Sequence, residues 1–243
     1  MRVLLFTLYA PMASFGDIAV GERRASWSRP ARSAVLGLVA GAMGVDRGDE
    51  ETHRQLEESL HFGVRTETPG LAMEDYHTVQ AARARKGQSF GTRREELLLG
   101  NLSTVLSSRE WRVDSFFTVA LWNRDGAGVD LGDMADALNR PTFVPYVGRK
   151  SAPLGLPLNP SVVDADTFLA AFDVRSPTSA EREVLDSVGY DQTAPRLIAS
   201  DVGVPGIPND FRVERRRDAV ASRARWQFHD RGEAVFAWGG ESR

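Results

Sequence analysis

The stretch 71–110 reads LAMEDYHTVQAARARKGQSFGTRREELLLGNLSTVLSSRE and carries the densest chemistry in the chain. Arg83, Arg85, Lys86, Arg93 and Arg94 crowd a segment broken by Gly87, Ser89 and Gly91, and Tyr76, His77, Gln80 and Phe90 flank them. Cations on a flexible loop neutralise phosphates, and planar groups at its base stack on unpaired bases, so the pattern suits a single-stranded nucleic acid. A solvated surface loop has the same charge pattern. Further cations stand at Arg23 and Arg24, beside Ser26, and at Gly148-Arg149-Lys150, where glycine permits close backbone approach. Phe15 is open to base stacking or to plain loop packing. Arg32 is open to phosphate binding at a helix N-terminus or to solvation in a first turn. Tyr76, His77 and Lys150 are also the types that metal-free RNA cleavage uses: a base, an acid and a cation for the phosphorane. His77 lies in an alternating, strand-like run, where stacking or a structural role is the commoner use.

Composition narrows the classes. The 243 residues suffice for one large domain or two small ones. A net charge of −3 excludes a uniformly basic coat, so any nucleic-acid surface must be a local patch balanced by acidic runs such as 46–51. Of 30 basic residues only Lys86 and Lys150 are lysine, which leaves 28 arginines. Arginine's planar fork suits phosphates and stacked bases, although a GC-rich genome produces the same excess. The absence of cysteine removes disulfides, thiolate catalysis and cysteine-ligated zinc. His53, His61, His77 and His229 lack metal-ligand spacing, so neither a metal nor another cofactor is expected. The run MRVLLFTLYAPM has no small-residue cleavage site, and nothing reaches the roughly 18 apolar residues of a membrane span. A cytoplasmic protein with no membrane partner is expected.

The elements that must hold these residues follow from periodicity. Arg2 to Tyr9 predicts a central strand stopped by Pro11, and 31–43 a helix with Pro30 near its first turn and Gly44 at its end. Ser33, Gly37, Gly41 and Gly44 give that helix a small-residue face for close approach to a sheet. A charged helix over 46–60, a strand over 61–66 ended at Thr68-Pro69-Gly70, and an alternating strand over 111–122 follow. A helix over 131–138 and a strand over 144–152 complete the order strand, helix, strand, strand, helix, strand, which is ferredoxin-like. Beyond it, Thr178 and Glu181 form a capping box for a helix to Val188, and 211–220 and 234–238 read as strands. The expected fold is α+β: a ferredoxin-like, RNA-recognition-like domain over 1–155 and a smaller, mixed but mostly β domain over 156–243.

Six segments, in order, carry a resemblance: PMASFGDIAVGERR at 11–24, RPARSAVLGLVAGAMG at 29–44, DYHTVQ at 75–80, TRREELL at 92–98, LSSRE at 106–110 and YVGRKSAPL at 146–154. Together they resemble the CasD family, subunits of type I-E CRISPR Cascade that hold the 5′ end of the guide RNA. One departure is Ser151, where family members commonly carry a cysteine after the Gly-Arg-Lys triplet. The resemblance implies a protruding basic thumb at about 81–101 and partnership with the crRNA 5′ handle. It also implies a backbone-forming subunit and a large PAM-reading subunit as neighbours, with target DNA met only indirectly. Met12, Ser14 and Arg109 fall within the matching segments and join the RNA-binding set. The resemblance implies a binder without catalysis, because cleavage in type I-E systems belongs to a dedicated subunit. The alternatives are a metal-independent endoribonuclease that processes repeat RNA and a protein adaptor without nucleic acid. The adaptor leaves the arginines of 83–94 without a role.

Overall fold

A computed structural model describes residues 1–239 other than 17, 20, 84, 85 and 192. Strand β1 (Arg2–Ala13) is buried from Val3 to Ala10, as its continuous apolar run requires. Pro11 does not end it. The strand runs on to Met12 and Ala13, and only the pair at Pro11 is skipped in the register, opposite Asp114 at φ 56°. A proline removes one donor, and the ladder tolerates that where the partner strand departs from β geometry. Two short strands, β2 (Phe15–Gly16) and β4 (Ser26–Trp27), pair with each other, and β3 (Arg23–Arg24) lies between them in sequence.

Helix α1 (Arg32–Ala42) turns Val35, Leu36 and Val39 to the core. Its small-residue face does not meet the sheet. A Cβ on Gly37 would come within 3.0–3.3 Å of the Arg223 guanidinium, and Arg223 also donates to the Ser33 carbonyl. That face seats a buried arginine from a distant turn. Arg32 is buried as well: it pairs with Glu57, donates to the Leu60 carbonyl at 2.9 Å and lies 3.6 Å from Asp201. The backbone N–H of Arg32 is taken by the Asp218 carboxylate at 2.8 Å. Neither expectation for Arg32 holds, because its helix terminus is already capped from within.

Helix α2 (Glu50–Ser59) is capped by Asp49, and β5 (Leu60–Thr68) follows directly. Strands β6 (Leu71–Ala82) and β7 (Leu102–Asn123) enclose the short α3 (Arg93–Leu97). After α4 (Leu131–Asn139), the strand expected at 144–152 is replaced by a loop closed by one bridge, Tyr146 to Pro153. Pro145 and Pro153 offer no ladder donor and Gly148 stands at φ 82°, so this segment turns instead of pairing. The strand beside β1 is β8 (Ser161–Asp164). Helices α5 (Phe168–Val174) and α6 (Ser179–Ser187) come next, the latter with the expected Thr178–Glu181 capping box. Strands β9 (Arg196–Asp201), β10 (Arg212–Ser222) and β11 (Gln227–Trp238) end the described chain.

One large, mainly antiparallel sheet runs in the order β10-β11-β9-β5-β7-β1-β8, with β3 and β6 attached to β7. Strands from either side of residue 155 are thus neighbours in one sheet, and Leu158, Ala199 and Val235 share a core with Leu4, Phe6 and Phe62. Helices α1 and α4 cover one face. On the other, Phe168 and Phe172 of α5 pack with Val3, Leu5 and Trp122. No helix among the described residues is long and apolar enough to cross a membrane.

Candidate nucleic-acid interface

β6 and the first half of β7 form a two-stranded arm, registered from Leu71↔Val113 to Ala82↔Leu102. Among the described residues β6 pairs with β7 alone, and most of its side chains are exposed. Directly paired residues share a face and successive residues alternate. Asp75 and His77 therefore lie on the face of Arg109 and Trp111, while Tyr76 and Gln80 lie on that of Ser108 and Glu110. β3 runs parallel along β7 with Arg24 against Arg109 and Arg23 against Ser108. One face thus carries Arg24, His77 and Arg109; the other carries Arg23, Tyr76 and Gln80.

Loop 146–153 brings more charge to the first face. At Gly148 a Cβ would overlap the Ser14 carbonyl oxygen, and the Ser14 amide donates to the Val147 carbonyl at 3.2 Å. The close approach that glycine permits is to the chain's own β1 end. This sets the Arg149 guanidinium 4.4 Å above the Trp111 ring, with Nη2 3.5 Å from the Arg24 carbonyl oxygen. Burial and then the Arg109 charge push the Arg149 guanidinium below its ordinary range; Arg24 adds to this and Asp75 opposes it. Among the described residues no carboxylate lies within ion-pair distance of Arg24, Arg109, Arg149 or Lys150. Asp75 is paired instead with His77. Arg24, Arg109 and Arg149 thus lie near one another with no carboxylate in ion-pair contact among the described residues, and Lys150 is exposed beside them.

The second face is tied internally. Arg23 pairs with Glu110, whose other oxygen accepts the Ser26 amide at 3.2 Å. Hydrogen bonding from Arg23 holds the Glu110 carboxyl below the usual range, against its partial burial. The Ser26 hydroxyl accepts the Phe15 amide at 2.9 Å. Phe15 itself is 1% exposed and packs edge-on against Phe117, so loop packing is its role. Ser14 is buried with its hydroxyl 3.3 Å from the Glu110 carbonyl oxygen, and Met12 is half-buried opposite Val113. Tyr76 is 62% exposed, open to a stacked base.

At the tip, Thr92 caps α3 and Arg93 binds both Glu96 and the Gln80 carbonyl oxygen, so Arg93 pins the tip to β6. Arg83, Lys86 and Arg94 are exposed without a carboxylate partner among the described residues, and Phe90 is half-buried. Arg85 lies outside the described residues. Among the described residues no group of three or more histidine, aspartate or glutamate side chains is placed to hold a metal ion. Sequence reasoning put Trp111 on a strand face and missed it as the support of Arg149; Arg109 two positions earlier on the same face was the available signal.

The family model described as CRISPR-associated protein (Cas_Cas5) matches residues 3–231, which include the arm, β3 and the 146–153 loop. The chain belongs to the Cas5 family. The CRISPR system Cascade subunit CasD of Escherichia coli (strain K12) is 32% identical over 163 residues, spanning 64% of this Cas5-family chain and 68% of that protein. A solved chain of a CRISPR RNA-guided surveillance complex superimposes on 97% of this chain and 90% of its own, with a TM-score of 0.66 and 24% identity. A crystal structure of a Cas protein covers 98% and 96% with a TM-score of 0.57 and 22% identity. These two solved structures share the fold of the Cas5-family chain.

Proposed function

We propose that this chain is a non-catalytic, RNA-binding subunit of a CRISPR surveillance complex of the Cascade type. In this reading the cationic face of the arm clamps the 5′ handle of the crRNA. The chain then sits between a backbone-forming subunit and a large PAM-reading subunit, meets target DNA only through them, and works in the cytoplasm. The order β5-β7-β1-β8, with α1 and α4 on one face, is read as the ferredoxin-like core, and the β6–β7 arm with its tip as the thumb. The observation that carries the proposal is the proximity of Arg24, Arg109 and Arg149 with no carboxylate in ion-pair contact among the described residues. Like charges held together raise each other's energy until an anion arrives, and a single-stranded phosphate backbone supplies several in succession.

The endoribonuclease alternative would use the Asp75-oriented imidazole of His77. Tyr76 leaves the strand on the opposite face, so those two groups do not meet on one phosphate. Two measurements test the proposal. Arg24→Ala, Arg109→Ala and Arg149→Ala should each weaken retention of the guide RNA and lower the slope of log affinity against log salt by about 0.7 per lost contact. An unchanged slope in all three would remove the clamp. The purified chain incubated with a labelled repeat transcript should yield a shifted band and no product; a discrete product that disappears in His77→Ala would establish the nuclease instead.

A further inference from the structure

Trp111 and Arg149 leave hydrogen-bonding capacity unused in the middle of the cationic face. Trp111 is 6% exposed and its indole Nε1 has no hydrogen-bond partner among the described residues. The Arg149 guanidinium stacks 4.4 Å above that ring, and its Nη1 is likewise buried and unpartnered. Buried donors are satisfied in most folded proteins, so two orphans in one stacked pair call for an outside acceptor. The nearby carboxylates are committed: Asp75 to His77, and Glu110 to Arg23 and Ser26 on the opposite face.

We propose that Trp111 and Arg149 form the seat of one internucleotide phosphate of the bound RNA, with Arg24 and Arg109 as its charged rim. This rests on the RNA-binding reading above and narrows it to a single linkage. The chemistry of the pair selects the ligand. Indole N–H and guanidinium groups donate and cannot accept, so their complement is a group that only accepts. Phosphate oxygens have that character and also carry the negative charge that neighbouring guanidinium groups call for, which the acceptor-only N7/O6 edge of guanine lacks. Trp111 is a positioning residue for Arg149 as well as a donor, since its ring supports the guanidinium from beneath. Gly148, locked against Ser14, fixes the backbone of the loop, so Arg149 is held over Trp111 before RNA arrives and only its side chain has to shift for the buried donors to meet a phosphate. The depression of the Arg149 guanidinium by burial and by Arg109 is consistent with a site that awaits an anion.

The test uses the full chain and the RNA that co-purifies with its complex, resynthesised with one neutral methylphosphonate linkage at a time. Wild-type protein should lose about tenfold in affinity at one linkage, the loss expected for a charge-assisted hydrogen bond, and much less elsewhere. Trp111→Phe keeps a ring under Arg149 and removes the N–H. It should keep the wild-type melting temperature, bind several-fold more weakly and lose its sensitivity at that same linkage, as should Arg149→Gln. Equal sensitivity at every linkage, or a Trp111→Phe profile that matches wild type, would overturn the seat. A weaker Trp111→Phe whose wild type ignores every methylphosphonate would assign the donors to a base carbonyl and also overturn it. If Arg24→Ala with Arg109→Ala leaves affinity untouched, the RNA-binding reading fails and takes the seat with it.

Discussion

Single residues in this chain are best separated by where their partners come from. Gly148 stands at φ 82° with the Ser14 carbonyl oxygen in the place of a Cβ. Gly148→Ala should cost at least about 1–2 kcal/mol for the left-handed backbone alone, and it should lift Arg149 off Trp111. Chemical denaturation and RNA binding should both register the change; a variant with native stability and native affinity would contradict the role given to the loop. Gly37 behaves differently. Its neighbour is the far end of a side chain, Arg223, at 3.0–3.3 Å. Gly37→Ala gains roughly 1 kcal/mol of helix propensity against this tight contact, and should be close to neutral in melting temperature. Gly37→Leu has no room beside Arg223 and should lose roughly 1–3 kcal/mol by overpacking. Equal melting temperatures for the two variants would show that Arg223 is free to leave.

The arm is the element on which function turns, and strand alternation divides its residues. Arg93 and Arg94 are neighbours of one chemical type with different employment. Arg93 is bound to Glu96 and to the Gln80 carbonyl oxygen, whereas Arg94 has an exposed side chain without a carboxylate partner among the described residues. Arg94→Ala should lower the salt slope of RNA binding by about 0.7 and leave the tip folded. Arg93→Ala should instead release α3 from β6, seen as faster amide exchange over 93–97. Protection unchanged in Arg93→Ala would show that Thr92 and Glu96 hold the tip without it.

Across the whole molecule, β9–β11 are joined to α1 and α2 by buried charges. Asp201 lies near Arg32, Arg124, Arg231 and His61 and accepts the Phe62 amide at 3.1 Å. Burial alone would raise its carboxyl, but the His61 ring 3.7 Å away and the charges of Arg32, Arg231 and Arg124 outweigh it and hold the group below its ordinary range. A carboxyl depressed in the folded state contributes stability above its unfolded value, near pH 4, and loses it as pH falls through the lower folded value. Asp201→Asn should therefore flatten the acid limb of melting temperature against pH. At neutral pH it should cost about 3–5 kcal/mol, because buried guanidinium groups lose their partner. Glu57 works the other way: burial, only partly offset by Arg32, raises its carboxyl, so its share of stability falls as pH rises through that value. A parallel pair of pH profiles for wild type and Asp201→Asn would remove Asp201 from the network.

The sequence by itself determined what depends on near neighbours along the chain. The helix near 31–43, the capping box at Thr178, the helix at 131–138 and the strand near 211–220 are set by periodicity and local hydrogen bonding and stand where the pattern put them, whereas the strand expected at 234–238 begins earlier, at Gln227. The six ordered segments pointed to the right family for the same reason, since a motif is local. Tertiary structure alone decided which cations are free. Arg23 finds Glu110 87 positions away, and Arg32 is enclosed by Glu57 and Asp201. Nothing within a few residues of either announces those partners. The strand beside β1 was also beyond local reading, because Val144 to Ala152 has strand-like content but prolines and a left-handed glycine where a ladder needs donors. Charge density located the candidate surface; ion pairing across the fold, through contacts that no periodicity encodes, selected Arg24, Arg109 and Arg149 within it.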